Sequence, residues 1–579
     1  MFPSRPSPTA YQPMPGLSFT PTEGLYFELF RTQTMSGLSG LFDSSSWRQR
    51  VLQDCHGDAA IRHSAIALGA LFKTLEQSSK TPSPTESSRD VQADAVKSHW
   101  QVAVQQYSKA CNAIMSPDAQ SQQQYHRTRL LVSTLLGTFD AFIGDHKQAI
   151  VQIQNGLSLM ERLVAEGDHS PSAGSSTSPS RDTIEEDLAV VFTRLAISAK
   201  SYDWAFHFPE PYVIQFSPSS NEGPPRVVVP RMNPPFSGPV TPGQRFSTLR
   251  EARLAHEGMI DRGIRFLDRL QQAQNTATGV LPDSWKQYGG AYLEEMNTWE
   301  VAFRPLFESR LDDPVLSFRD RSAISTLKME HINSRVLFLS IFSSSESAFD
   351  AYIPQFATVV ELAREVVAND ETQAATAAGC TLASQHGQPC QHQRWDDVPS
   401  VTAGGYVAYH VKPSFTADLG IIPPLFLVAT KCREPVVRRQ AIQLLRSSAR
   451  REGMWDSELV ARIGQWIMEL EEGPNPYQQG GDAGGPLRLD IPYGSGMMGG
   501  GLADPFALGG GDYSSYRDHQ GQSALLSTQP QPVPEERRVR IHAVDFDLRS
   551  RVADLTVGTR GFRADEPQDA RRQVTHISW

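Results

Sequence analysis

Between Tyr125 and Leu163 two apolar stripes at helical spacing flank a single break. Leu131, Leu135, Phe139 and Phe142 recur at intervals of four, four and three, which places them on one face of a helix. Gly144-Asp145 then interrupts the pattern, with the glycine suited to a left-handed C-cap and the aspartate to an N-cap. Ile150, Ile153, Leu157, Met160 and Val164 resume it. Two amphipathic helices with so short a connection are expected to fold back antiparallel and share one core. Neither can bury its face alone, so the rest of the chain has to supply neighbours.

It does so repeatedly. Asp58 reads as the N-cap of a helix whose buried face is Ile61, Ala65, Leu68, Phe72 and Leu75. A further helix carries Val96, Trp100, Val104, Tyr107, Cys111 and Ile114. Others are read over Ile184 to Phe206, from Leu249 past Leu267, Trp285 to Phe303, Ile324 to Phe342, Phe356 to Val367, and in a dense block from Phe415 to Leu470. The fold class is all-α: a large irregular array of antiparallel helical hairpins, without a fixed repeat period. Residues 1–20 are Pro/Ser-rich and read as disordered, and 21–472 form the helical domain. Breaks rich in Pro, Gly and Ser are expected near 80–90, 167–182, 209–244 and 372–403. Residues 473–534 read as a Gly/Pro/Gln-rich linker. In 535–579 the alternation of Ile541, Val544, Phe546 and Leu548 predicts a short strand or hairpin.

Composition narrows the class. Thirty-nine per cent hydrophobic residues supports a sizeable core, and a formal net charge of -10 argues against a chain that coats nucleic acid throughout. No run of about 18 apolar residues occurs, so no membrane span is expected. The N-terminus has no apolar segment of the secretory kind. Five scattered cysteines fit a reducing, cytosolic or nuclear compartment.

Short motifs carry little chemistry. Gly494, Gly496 and Gly499 match GxGxxG, but a dinucleotide loop needs a strand before it and a helix at its end, and here more glycines follow. Cys380, His386, Cys390 and His392 have zinc-binding side chains at a spacing of no common finger. Ser325 and Lys328 fit SxxK within an amphipathic helix, with no partner motif. No catalytic set is assigned and no enzyme activity is expected. Arg433, Arg438, Arg439, Arg446, Arg450 and Arg451 form a basic helical segment. It suits either contact with phosphate or a face that is solvated or paired with acidic neighbours. Arg537, Arg538 and Arg540 form a smaller cluster of the kind read by nuclear import.

Several blocks in order resemble the regulatory region of fungal-specific transcription factors. YFELFRTQTMSGLSGLFDSSSWRQRVLQ followed by HGDAAIRHSAIALGAL is similar to its opening. HWQVAVQQYSKACNAI and LLVSTLLGTFDAFIGDHKQAIVQIQNGLSLMERL resemble its next helical units, and FSTLREAR a helix start in mid-domain. DLGIIPPLFLVATKCREPVVRRQAIQLLRSSARREGMWDS is the most specific block, and VRIHAVDFDLRSRVADLTVGTR extends the likeness toward the end.

The resemblance implies a nuclear transcriptional regulator, with a helical domain acting by intramolecular restraint, by sensing a small-molecule effector, or through transcriptional co-regulators. It further implies control of a metabolic or secondary-metabolite gene set. The family's DNA-binding module holds two zinc ions with six cysteines, including two Cys-x-x-Cys pairs, and this chain has neither that number nor any such pair. No cofactor is therefore assigned; zinc is expected only with an upstream cluster module. Either that module lies upstream in a longer product, or this member works through a related DNA-binding factor. The alternative is a helical scaffold or co-regulator that acts by protein contact alone. If phosphate or a partner is contacted, Arg433, Arg438, Arg439, Arg446 and Arg450 are the candidates.

Overall fold

The computed structural model describes residues 19–39, 45–78, 86–115, 122–168, 179–207, 213–214, 239–274, 283–341, 343, 345–380, 406–473, 533–558 and 572–579. Local chemistry sets where its helices begin. Thr20 and Glu23 form a reciprocal capping box that opens α1 (Pro21–Leu29), which runs through a π turn into α2 (Met35–Ser39). After α3 (Ser45–Gly57), Asp58 caps α4 (Ala59–Ser78): its Oδ1 accepts from the backbone N–H of Ala60 at 2.8 Å, while Oδ2 accepts from the Thr128 hydroxyl at 2.7 Å. The predicted cap is present, and it also ties α4 to the helix that carries Thr128.

That helix is α6 (Gln122–Ile143), preceded by α5 (Glu86–Met115) and followed by α7 (His146–Asp168). Gly144 takes φ +91°, and Asp145 accepts from the Gln148 N–H at 3.1 Å, so the turn is made as its two residues suggest. The core is shared in part, since Leu159 and Met160 of α7 pack with α6 in one core while the rest of the α7 stripe turns to another. Leu131, Leu135, Phe139 and Phe142 of α6 pack into an N-terminal core with Ile61, Leu68 and Leu71 of α4. Ile150, Ile153 and Leu157 of α7 face a second, central core. The two helices meet across small residues: a Cβ at Gly137 would lie 3.7 Å from Ile153 and 3.8 Å from the Ala149 carbonyl. Close backbone approach there leaves the bulky stripes to pack on other neighbours.

Next come α8 (Pro179–Phe206), α9 (Leu249–Gln274), α10 (Asp283–Asp312) and α11 (Phe318–Ser340). α9, α10 and α11 close on a third core around Met259, Met296, Trp299 and Phe303. The Trp299 indole N–H donates to the Ala252 carbonyl at 3.0 Å, which fixes α10 against α9. A 3-10 turn, Glu346–Tyr352, leads to α12 (Ile353–Ala377). The helix continues past residue 372 to Ala377, and within it the Thr372 and Thr376 hydroxyls donate to carbonyls four residues back, each at 2.7 Å.

The central core is completed by the C-terminal elements. β1 (Ser414–Thr416), α13 (Ile422–Lys431), α14 (Pro435–Arg446), β2 (Arg450–Glu452), β3 (Trp455–Asp456) and α15 (Ser457–Glu472) follow in order. β1 pairs parallel with β2, and β2 antiparallel with β3. Then β4 (Arg540–Asp547), β5 (Val552–Gly558) and β6 (Gln573–Ser578) make an antiparallel sheet in the order β4-β5-β6. A register shift between Ile541 and Ala543 turns both Ile541 and Val544 inward. Val544, Leu555 and Val557 join the same core as Leu425, Val428, Leu459 and Ile463 of α13 and α15. The described chain is an all-α fold carrying two small sheets. Among the described residues no helix is long and apolar enough to cross a membrane.

Candidate functional site

The arginine segment is an internal hub. Arg438 and Arg433 lie buried beside Glu471, at 2.8 and 2.7 Å. Arg438 Nε also donates to the Ala429 carbonyl at 2.9 Å. Glu346, at the start of the 3-10 turn, pairs with Lys431 at 3.0 Å and with Arg433 at 3.4 Å. Burial alone would raise the Glu471 carboxyl; Arg433 and Arg438 outweigh it and hold it below the usual carboxylate range. Arg450 is buried against Asp370 at 2.8 Å. The guanidiniums of Arg433, Arg438 and Arg450 are each enclosed and already face a carboxylate. Arg439 and Arg446 are exposed, bonded to Glu472 and Gln465. Arg451 is half-buried, donating to Asp456 at 3.0 Å and to the Phe142 carbonyl at the end of α6. In the second cluster, Arg538 is buried and donates to both oxygens of Asp350, at 2.8 and 2.7 Å.

The other motifs do not assemble. Ser325 is buried and donates to Glu365 at 3.2 Å, while Lys328 pairs with Glu300 at 2.6 Å, so this serine and lysine serve different partners. Cys380 sits just past α12; His386, Cys390 and His392 lie outside the described residues, as do Gly494, Gly496 and Gly499. Cys55 and Cys432 are buried in different cores, where burial pushes their thiols up to about 12 and about 11. That is the opposite of what a zinc thiolate needs. Among the described residues no group of side chains is arranged to hold a metal ion.

What the structure does form is a cavity of about 100 Å³ among α8, α9, α10, α11 and the start of α13. Ile260, Ile264 and Leu267 of α9 form one apolar wall. Trp204 of α8, Phe338 of α11 and Pro423 of α13 form the others. One corner is polar and highly charged. Glu257 Oε1 is shared by Arg194 Nε at 2.7 Å and Arg253 Nε at 2.6 Å, and Arg253 Nη2 reaches Asp418 at 3.1 Å. Glu330 of α11 lines the same cavity, and burial pushes its carboxyl up to about 8. His256, buried against Trp299 with ring centroids 4.9 Å apart, has its imidazole held well below its usual range by burial, and its Nε2 has no hydrogen-bond partner.

The corner is fixed from below by Glu452. Its carboxylate accepts from the N–H groups of Gly420 (2.9 Å), Ile421 (3.1 Å) and Ile422 (2.9 Å) at the N-terminus of α13. This clamps the segment that presents Asp418 and Leu419. A second cavity, of about 70 Å³, lies against α2, α3 and α6, and Arg194 and Asp418 line both. Sequence reading missed these residues. One signal was present: Arg253 and Glu257, four apart on α9, share the face of Ala252 and Ile260, so a charged pair sits on a stripe that must be buried.

Comparison with known proteins adds one relative. Over 65 residues, which are 11% of this chain and 11% of the relative, the chain is 48% identical to the aspercryptin biosynthesis cluster-specific transcription regulator of Emericella nidulans. No family profile and no solved structure matches. The chain therefore matches about one tenth of that relative's length, and the match points to a fungal transcription regulator.

Proposed function

We propose that this chain is a nuclear transcriptional regulator of fungi whose helical domain senses a small molecule in the cavity between α8, α9 and α11. The observation that carries the reading is the cavity itself: apolar walls that converge on a charged corner contributed by separate segments. The likeness to a cluster-specific regulator supports the choice of process, and suggests a biosynthetic gene set as the target. Such a chain reaches promoters either through a zinc-cluster module upstream of these residues or through a related DNA-binding factor, with transcriptional co-regulators as further partners.

Occupancy of the cavity would favour one packing of α8 and α9 against α11 and α13. A ligand shifts such an equilibrium only by its differential affinity for the two packings. Transcript profiling of a strain lacking the gene tests the reading: a coordinated change in a contiguous set of genes is expected. An unaltered transcriptome under conditions in which the wild-type strain makes the protein would contradict it.

A further inference from the structure

We infer that the cavity takes a small apolar molecule bearing a single protonated amine, with its ammonium group against Glu330 and its hydrocarbon part along Trp204, Ile264 and Phe338. This rests on the effector reading above and names the ligand class.

The argument starts from charge. Arg194 and Arg253 are both engaged by carboxylates, the first by Glu257 and the second by Glu257 and Asp418. Glu330 has no ion pair or hydrogen bond through its carboxyl among the described residues. The groups that bear on it are Arg253 and Glu257 from α9, Arg194 from α8, Asp418 from the segment before α13, and Glu452 from β2. Arg450 offsets Glu452 but is itself paired with Asp370. Two guanidiniums therefore balance Glu257 and Asp418, and Glu330 is left without a cation of its own: only once it gives up its proton is the corner short of one positive charge.

Hydrogen-bonding capacity points the same way. Glu257 Oε2 and Asn333 Oδ1, both on residues that line the cavity, are buried oxygens with no hydrogen-bond partner. Unpaired buried acceptors are costly, and an ammonium group brings three donors and no acceptor. The walls set the size. An apolar cavity of about 150 Å³ admits benzene, so about 100 Å³ suits a short alkyl amine.

The proton balance makes the inference measurable. At neutral pH Glu330 holds its proton and a free alkyl amine is already cationic. Binding forms an ammonium–carboxylate pair and returns the Glu330 proton to solvent.

The experiment is calorimetry on the full chain with n-butylamine, n-butanol and n-butyrate, from pH 6 to pH 9 in non-amine buffers. Expected are butylamine binding at least about tenfold tighter than butanol at pH 8, affinity rising about tenfold per pH unit up to pH 8, and about one proton released per amine at pH 7. E330Q should abolish the tenfold preference; a denaturant unfolding curve confirms that the variant folds. Equal or tighter binding of butanol or butyrate, or an E330Q protein with the amine preference intact, would overturn the ligand class while leaving the cavity a sensor. If none of the three binds, the effector reading falls as well.

Discussion

Arg438 and Glu471 meet at 2.8 Å with neither side chain exposed, and this pair joins α14 to α15 where the C-terminal sheet arrives. The backbone N–H of Val539, just before β4, donates to the same carboxylate at 3.0 Å. Glu471 thus pairs with two arginines and anchors the sheet. Glu471→Ala would leave Arg433 and Arg438 buried without their shared counter-charge, and should cost about 3–5 kcal/mol of stability in urea unfolding. Arg439→Ala, at an exposed position of the same helix, should stay within about 0.5 kcal/mol. Equal losses in the two variants would refute the internal role given to the segment.

Glu330 links stability to pH. Its folded-state carboxyl is raised to about 8 from the ordinary 4.5, so the folded chain binds a proton that the unfolded chain has released. Its contribution is therefore complete below about pH 4.5 and is lost as pH rises toward 8. Glu452, raised to about 7 by burial against the pull of three N–H groups, acts in the same direction. Between pH 5 and pH 8 the wild type should lose stability relative to E330Q, by at most about tenfold in the folding constant per pH unit. A wild type and an E330Q protein with parallel stability–pH curves would contradict this.

Gly144 ties the α6–α7 turn to the β4–β5 turn. Its φ of +91° disfavours a side chain, and a Cβ there would lie 3.0 Å from Leu548. Gly144→Ala should cost about 1–3 kcal/mol. Combined with Leu548→Ala, the loss should be less than the sum of the two single losses, because the second change removes the crowding. Strict additivity would show that the contact is not made.

The C-terminal sheet should not melt separately. Leu555 is fully buried in the central core, and Leu555→Ala should cost about 2–5 kcal/mol. Helical circular dichroism and tryptophan fluorescence should report one shared transition. A variant that loses the sheet at lower denaturant while its helices keep the wild-type midpoint would contradict a common core.

Much of this fold was legible because short-range signals suffice for it. The face of Ile61, Ala65 and Leu68, the Asp58 cap and the Gly144-Asp145 turn are set within a few residues. The partners of the arginines were not, since Arg433 meets Glu471 and Glu346 across 38 and 87 residues of chain. A basic run looks the same from sequence whether it meets solvent or buried carboxylates. The cavity corner is harder still, because Arg194, Arg253, Glu330 and Asp418 come from different segments and share no spacing. β6 escaped notice because its strand is short and its partner β5 is not adjacent to it in sequence.

The most direct measurement is immunoprecipitation of crosslinked chromatin from cells carrying an epitope-tagged full-length chain, followed by sequencing. Crosslinking captures a regulator whether it touches DNA itself or through a partner. Discrete promoter peaks absent from an untagged strain are the expected result. Coverage no different from the untagged strain, under every growth condition in which the protein is made, would contradict a role in transcription.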